Sequence, residues 1–122
     1  MNLTVFGANA LWDGTSIPAT LYVKLHLGDP TDAGTANPAT ETTRKSFTRV
    51  AAAAGATSNV LVTEWLSYSV AENLTHVSIW DASSGGNCWF VDEIEDAPLL
   101  TVIGQAVEIA AGQLDMAFTT WT

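Results

Sequence analysis

The fold is decided by residues 74–93, which read LTHVSIWDASSGGNCWFVDE. Two runs rich in β-branched and aromatic residues flank a cluster of turn residues, and this pattern predicts a β-hairpin. Alternation along the first run puts Val77 and Ile79 on one face of the strand and Ser78 on the other. We expect the hairpin to lie in the middle of a β-sandwich, with the remaining strands packed around it.

The turn between the two runs has its own chemistry. Asp81 can bond the backbone ahead of it, and either Gly85 or Gly86 can adopt the positive φ that a hairpin loop needs. Cys88, which opens the second run, is the only cysteine and cannot form an internal disulfide. Its position in an apolar strand indicates a small buried hydrophobe rather than a reactive thiol.

Composition and charge restrict the possible functions. The 122 residues suit one domain, and a hydrophobic content of 48% excludes general disorder. The net charge is −9, and no Lys or Arg follows Arg49, so we expect neither nucleic acid nor a membrane as a partner. The asymmetry suits head-to-tail packing of a basic edge on an acidic edge, but it also suits a surface that the acids simply keep soluble.

Further strands are predicted on both sides of the hairpin. They cover residues 20–27, 46–54, 60–65, 99–103, 106–110 and 114–120. The first alternates strictly, which indicates one face in the core and one in solvent. Residues 4–12 fit a short strand, one helical turn or an arm that docks on a neighbour. Residues 66–73 form a linker in which Tyr68 and Val70 are expected to pack.

Short strands separated by turn signals, with no strong helix, predict a single all-β domain over residues 1–122. We expect an antiparallel β-sandwich of the jelly-roll or immunoglobulin-like type, preceded by an N-terminal arm of about residues 1–17. A long loop, 28–43, follows the first strand. Loops of this length are usually functional or disordered, so we expect this one to contact a partner or its own domain.

The sequence offers no convincing catalytic constellation. Ser78, His76 and Asp81 could be written as a triad, but the first two share one strand face and no nucleophile turn is present. We therefore interpret His26 and His76 as satisfied strand histidines. Paired carboxylates could hydrolyse sugars, but no aromatic-lined cleft is evident from the spacing. The chain is predicted not to be an enzyme.

Two acidic loops are candidates for calcium. One carries Asp29 and Asp32, and the other spans residues 92–96. Neither follows the Asp-x-Asp-x-Asp-Gly order of a helix–loop–helix site, and the scattered His and Cys lack zinc spacing. We assign no metal and no cofactor.

Tryptophan is abundant for a domain of this size. The five are Trp12, Trp65, Trp80, Trp89 and Trp121. Aromatic residues concentrate in cores and interfaces, and a sandwich this small cannot enclose all five. Trp80 and Trp89 flank the hairpin turn and could touch across the strands. Trp12 and Trp121, near the two ends, are expected to pack against another chain; stacking on sugars or a place in the core are the alternatives.

Several motifs occur in a fixed order along the chain. They are PATLYVKLHLGDP (18–30), AGTANP (33–38), FTRV (47–50), SN (58–59), TEW (63–65), THVSIWDASSGGN (75–87) and AGQLD (111–115). Their order resembles a family of small tailed-phage virion proteins, often labelled tail fibre proteins. The hairpin and the Gly-Asp-Pro segment are the most specific parts of this resemblance.

The resemblance implies a structural β-sandwich subunit of the virion that decorates the capsid or sits on the tail or its fibres. Its partners would be major capsid or tail proteins and further copies of the chain. Aromatic surface would be buried between subunits, with charge pairs fixing the register. The interface candidates are Trp12, Asp29, Pro30, Arg44, Lys45 and Trp121. A carbohydrate- or receptor-binding sandwich is the alternative.

Overall fold

A five-stranded antiparallel sheet is the largest element of the fold. The computed structural model describes residues 2–49, 56–61, 63–94, 97–111, 113–114 and 116–117. The sheet contains β1 (Asn2–Leu3), β2 (Thr20–His26), β3 (Lys45–Thr48), β7 (His76–Trp80) and β8 (Cys88–Glu93), in the order β1-β8-β7-β2-β3. Three two-stranded ladders join β4 (Ala56–Thr57) to β11 (Met116–Ala117), β5 (Thr63–Trp65) to β10 (Val107–Ile109), and β6 (Asn73–Leu74) to β9 (Leu99–Leu100).

The predicted hairpin is confirmed as the pair β7–β8 near the centre of this sheet. Its register places Ile79 opposite Phe90, and an irregularity follows between Ile79 and Trp80. Both turn glycines adopt a positive φ, 61° at Gly85 and 69° at Gly86. The turn is closed by the side chain of Asp81, as the sequence predicted, because its Oδ1 accepts from the backbone N–H of Asn87 at 2.8 Å.

One face of the sheet carries the core. Leu21, Val23 and Leu25 of β2 are fully buried beside Val77 and Ile79 of β7. Residues of the ladders belong to the same buried cluster, among them Trp65, Val107, Ile109 and Met116. Burying an aliphatic side chain of this size stabilises a fold by roughly 1.5–3 kcal/mol, so the β2–β7 pair is the natural centre of stability. Among the packing residues predicted in the linker, Tyr68 is buried and Val70 packs on the cluster.

The prediction that the opposite face of β2 lies in solvent is wrong at His26. His26 is fully buried, whereas Leu27, placed by alternation in the core, lies past the end of the strand and is 40% exposed. The reason is the long loop, since Ala36 of that loop bonds the His26 ring and covers it. The alternation of side chains describes one strand alone, so it cannot show that a loop from another part of the chain covers that strand.

The described parts of the other strands are shorter than the strands that the sequence predicted. β3 ends at Thr48, and residues 50–55 lie outside the described part of the chain. β5 begins only at Thr63, and Val60 and Leu61 before it are exposed. The strand predicted at 99–103 corresponds to β9 (Leu99–Leu100), and the strand predicted at 106–110 corresponds to β10 (Val107–Ile109). The predicted last strand is described only as β11, and residues 118–122 fall outside the description.

The N-terminal segment, for which strand and helix were both open, forms β1 and then helix α1 (Val5–Trp12). In the described residues this segment is tied to the chain's own sheet, because β1 pairs with β8. The prediction of a mostly β, antiparallel fold is confirmed. The jelly-roll or immunoglobulin-like order of the strands and the single domain over 1–122 remain predictions.

Candidate interaction surface

Helix α1 is fixed to the sheet at its first turn. The Thr4 side chain accepts from the N–H of Gly7 at 3.1 Å, and its hydroxyl donates to the carbonyl of Cys88 at 2.5 Å. Asp32 of the long loop accepts from the N–H of Val5 at 2.8 Å. Two backbone donors that a helix start leaves unpaired are thus satisfied, one by its cap and one by a carboxylate that also suits the positive end of the helix.

Close contact with β8 sets the position of the helix. A Cβ on Gly7 would lie 2.8 Å from the carbonyl oxygen of Trp89, so only glycine permits this approach. The ring of Phe6 meets the Trp89 indole edge to face, with centroids 5.4 Å apart. The helix is therefore held against the sheet by hydrogen bonds and by aromatic packing.

An open apolar hollow is formed by residues of this helix and of β1. It has a volume of about 300 Å³ and is lined by Leu3, Ala8, Leu11 and Trp12. Trp12 is 90% exposed, which is unusual for a side chain that gains so much from burial. Val5 and Phe6, at 61% and 40% exposure, extend the apolar surface of the same helix.

A second hollow lies beside the edge strand β3. Its volume is about 450 Å³, and it is lined by Ser46, Phe47, Thr48, Val60, Leu61 and Thr63. Leu61 is 73% exposed, while the buried hydroxyl of Thr63 has no hydrogen-bond partner among the residues that the structure describes. This hollow is more polar than the one beside Trp12 and is not built on a helix.

The first half of the long loop packs on the hairpin and on β2. The N–H of Leu27 donates to the carbonyl of Asn37 at 2.9 Å, and that of Ala39 donates to the carbonyl of Leu25 at 3.1 Å. Gly34 has a φ of 72°, and a Cβ there would lie 2.5 Å from the sulfur of Cys88. The loop therefore contacts its own domain, which is one of the two outcomes expected for it.

The second half of the loop is fastened to residues of the linker and of β5. The hydroxyl of Thr40 donates to Glu72 at 2.8 Å, and the indole N–H of Trp65 donates to the carbonyl of Thr43 at 2.8 Å. The Tyr68 hydroxyl donates to the same Glu72 carboxylate. Burial and this carboxylate raise the pKa of Tyr68 well above its usual value, so the phenol stays a neutral donor.

A buried polar network joins the loop to the sheet. The Trp80 indole N–H donates to Ser78 Oγ at 2.7 Å, and Ser78 Oγ lies 2.7 Å from His26 Nε2. His26 Nδ1 lies 2.9 Å from the carbonyl of Ala36. Because a carbonyl only accepts, Nδ1 carries the proton, Nε2 accepts from the Ser78 hydroxyl, and that oxygen accepts from Trp80. Burial lowers the pKa of His26, which keeps the ring neutral and this bonding order intact.

Arg44 clamps the hairpin turn. Its guanidinium carbon lies 3.9 Å from the centroid of the Trp80 ring, and Nη1 donates to the carbonyls of Ala82 at 2.9 Å and Gly85 at 2.7 Å. The Arg44 guanidinium therefore stabilises the hairpin turn of its own chain. Arg49 is engaged in the same way, since it donates to the carbonyls of Pro18 and Ile17 at 3.0 Å each.

The residues considered for catalysis do not come together. Ser78 bonds His26 rather than His76, whose Nδ1 bonds the hydroxyl of Thr75. Asp81 receives the N–H of Asn87 and the indole N–H of Trp89, so it orients no histidine. The interpretation of His26 as a satisfied histidine is confirmed.

The lone cysteine is also a structural residue. Cys88 is 6% exposed, and burial raises the pKa of its thiol to about 11. The thiol is therefore protonated at neutral pH and packs as the predicted small hydrophobe.

The acidic loops do not converge in the part of the chain that the structure describes. Within it, no three His, Cys, Asp or Glu side chains gather around a common point suited to a metal. Asp29 accepts from the N–H of Thr31 at 2.8 Å, and Asp32 from that of Val5. Glu95 and Asp96 of the second acidic loop lie outside the description.

The interface candidates named from the sequence are spread over the molecule. Trp12 lies on the apolar hollow, Asp29 is exposed in the long loop, and Pro30 beside it is buried. Arg44 and Lys45, at the start of β3, are both half-buried. Trp121 lies outside the described residues. No finding tests these assignments as interfaces, so they remain predictions.

Sequence reasoning missed the rest of the hollow. Leu3 is placed by the pairing of β1 with β8, more than eighty residues away along the chain, and Leu11 by helix α1. A local signal did exist, since Thr4 followed by an apolar run fits a helix cap, but the segment was too short to decide.

Together, these features define a β-rich domain with a preformed apolar surface and with buried polar groups committed to structure. In the part of the chain that the structure describes, no helix has the length and apolar character needed to cross a membrane. A family of phage proteins, described as podophage GP4 fiber I protein gp80, matches residues 6–117. The chain therefore belongs to this family of phage fibre proteins. A search of curated proteins found no match.

Proposed function

We propose that the chain is a non-enzymatic structural subunit of a tailed-phage virion and that its place is the tail fibre. The match of residues 6–117 to a podophage fibre family carries the proposal. The surface agrees with a role in assembly, since a helix held rigidly on the sheet presents Trp12 and an apolar hollow to the outside. Clustered exposed apolar groups of this kind mark interaction surfaces.

The partners are other virion proteins and further copies of the chain. Repetition in a fibre supplies avidity, so each contact can be modest in area. Other exposed apolar side chains offer additional contact points on the same molecule, namely Leu61, Leu66, Leu100 and Ile103.

Localisation in purified virions tests the proposal. We expect mass spectrometry to find the chain in gradient-purified particles, and gold-labelled antibodies against it to decorate the tail in electron micrographs. Label on the capsid surface would instead make it a decoration protein. Absence of the chain from washed particles would contradict a structural role altogether.

Sugar binding is the second candidate, and one observation favours it. Trp12 is exposed as sugar-stacking tryptophans are, but the hollow beside it is lined by Leu3, Ala8 and Leu11, which offer no polar side chain to a sugar hydroxyl. Titrating the purified protein with glycans while recording tryptophan fluorescence separates the two functions, and a saturable change abolished by Trp12→Ala would favour this candidate.

A further inference from the structure

The hollow beside Trp12 is already formed in the chain without a partner. Thr4 caps the helix, Gly7 lets it lie against the carbonyl of Trp89, and Asp32 holds the N–H of Val5. A surface that is rigid in the free protein loses little entropy on binding. Its volume, about 300 Å³, suits one or two side chains rather than a whole domain.

The lining determines what part of a partner enters the hollow. Leu3, Ala8 and Leu11 are half-buried and apolar, so an aliphatic or aromatic side chain would complete them. The exposed face of the Trp12 indole, in contrast, attracts cations through its ring quadrupole. The chain itself uses this pairing, because Arg44 lies 3.9 Å from the ring centroid of Trp80.

Charges at the same end of the helix favour a cationic partner. Trp12 is the last residue of α1, where the helix dipole is negative, and the exposed Asp13 follows as its C-cap. The whole chain adds a net charge of −9. A partner with Lys or Arg around its apolar side chain would be attracted by the helix dipole, by Asp13 and by the negative net charge.

A second copy of the chain is a poor source of such a segment. It has only four basic residues, and two of them, Arg44 and Arg49, donate to carbonyls of their own subunit. Lys24 and Lys45 both lie half-buried in strands of the sheet. Two copies would also bring 26 acidic residues together, because each has 13 Asp and Glu.

From these observations we infer that the hollow beside Trp12 binds an apolar side chain flanked by Lys or Arg on a different virion protein. This inference rests on the proposed structural role and specifies the partner of one surface.

A pair of charge variants at one position tests the sign of the partner. Trp12→Glu and Trp12→Lys remove the same indole and differ in the charge they introduce. We expect phage grown with Trp12→Glu to carry roughly three- to tenfold more copies of the chain per virion than phage grown with Trp12→Lys, since each surface charge pair contributes modestly. Quantitative mass spectrometry of purified particles measures this ratio, and a ratio of one or below overturns the inference.

The matched control uses the other hollow. Leu61 is 73% exposed and apolar like Trp12, but it lies beside β3. We expect Leu61→Glu and Leu61→Lys to be incorporated equally. If this pair gives the same ratio as the pair at Trp12, the effect reflects net charge and not a partner at the hollow, and the inference fails.

Photo-crosslinking in intact virions identifies the partner directly. With p-benzoylphenylalanine at position 12, we expect a crosslink to a segment of another virion protein in which an apolar residue is flanked by Lys or Arg. A crosslink to a second copy, to an acidic segment, or to nothing overturns the inference. The amount of uncrosslinked chain in the same particles tests the proposed function separately. If the chain is absent from virions, the proposed structural role is wrong, whatever the crosslink shows.

Discussion

Protonation of His26 would disturb a buried hydrogen-bond network. A proton on Nε2 would turn it into a donor facing the Ser78 hydroxyl, which already receives the Trp80 N–H. Burial lowers the pKa of His26 below its ordinary 6.5, so at mildly acid pH the folded chain binds fewer protons than the unfolded chain. Stability is therefore fully present above about pH 6.5 and falls as the pH drops below it.

The measurable consequence is a loss of unfolding free energy between pH 7.5 and pH 5.5. We expect a positive slope that stays below about 1.4 kcal/mol per pH unit, the limit for one proton. Denaturant titrations at three pH values measure it. His26→Asn supplies the control, because its amide can still donate to the carbonyl of Ala36 and does not titrate, while Lys24 and His76 nearby are unchanged. An equally steep slope in that variant would exclude His26 as the cause.

Among the elements, the hairpin depends on a residue that lies far from it in sequence. Arg44 joins the carbonyls of Ala82 and Gly85 and covers the ring of Trp80. We expect Arg44→Met, which keeps much of the apolar stem, to lower the unfolding free energy by about 1–2 kcal/mol. Hydrogen exchange at Asp81, whose N–H donates to the carbonyl of Asn87, should become faster. Lys45→Met, one residue further on, is the matched control and should change neither quantity by a similar amount.

Local sequence was informative where an element is shaped by its own residues. The hairpin at residues 76–93 combines β-branched runs with Gly85 and Gly86, and both signals act over a few residues. The clamp from Arg44 and the loop that buries His26 could not be predicted, because they join segments that the alternation of side chains does not connect. The same holds for the hollow. Trp12 was identified as a contact residue, but the site around it required the pairing of β1 with β8.

At the scale of the whole molecule, acidic and apolar surface have separate roles. The net charge of −9 disfavours close approach of copies at low salt, whereas the apolar hollow favours contact once two surfaces meet. The proposed partner with Lys or Arg beside the hollow agrees with this balance of charge and apolar surface. The same balance underlies the expectation that virions incorporate the Trp12→Glu chain better than the Trp12→Lys chain.

One buried amide connects the segments next to two of the ladders, β4–β11 and β5–β10. Asn59 is 1% exposed; its Nδ2 donates to the carbonyls of Leu61 at 2.9 Å and Ala110 at 3.1 Å, and its Oδ1 accepts from the N–H of Leu114 at 3.0 Å. Three segments of the chain therefore share one side chain. Asn59→Asp keeps the shape but turns the two donors into an anionic oxygen that faces two carbonyls. We expect a loss of roughly 2–4 kcal/mol in unfolding free energy at pH 7.5.

The pH dependence of that loss identifies its cause. Burial and the facing carbonyls raise the pKa of the new carboxyl in the folded state, and a protonated carboxyl recovers one donor. The deficit relative to the parent chain should therefore narrow as the pH falls, which denaturant titrations of both proteins at pH 7.5 and pH 5 can measure. Asn37→Asp is the matched control, because the side chain of Asn37 is exposed and donates to the carbonyl of Asp29 at 2.9 Å. A deficit at Asn59 that does not change with pH would mean that the charge of the new carboxylate is not the cause of the loss.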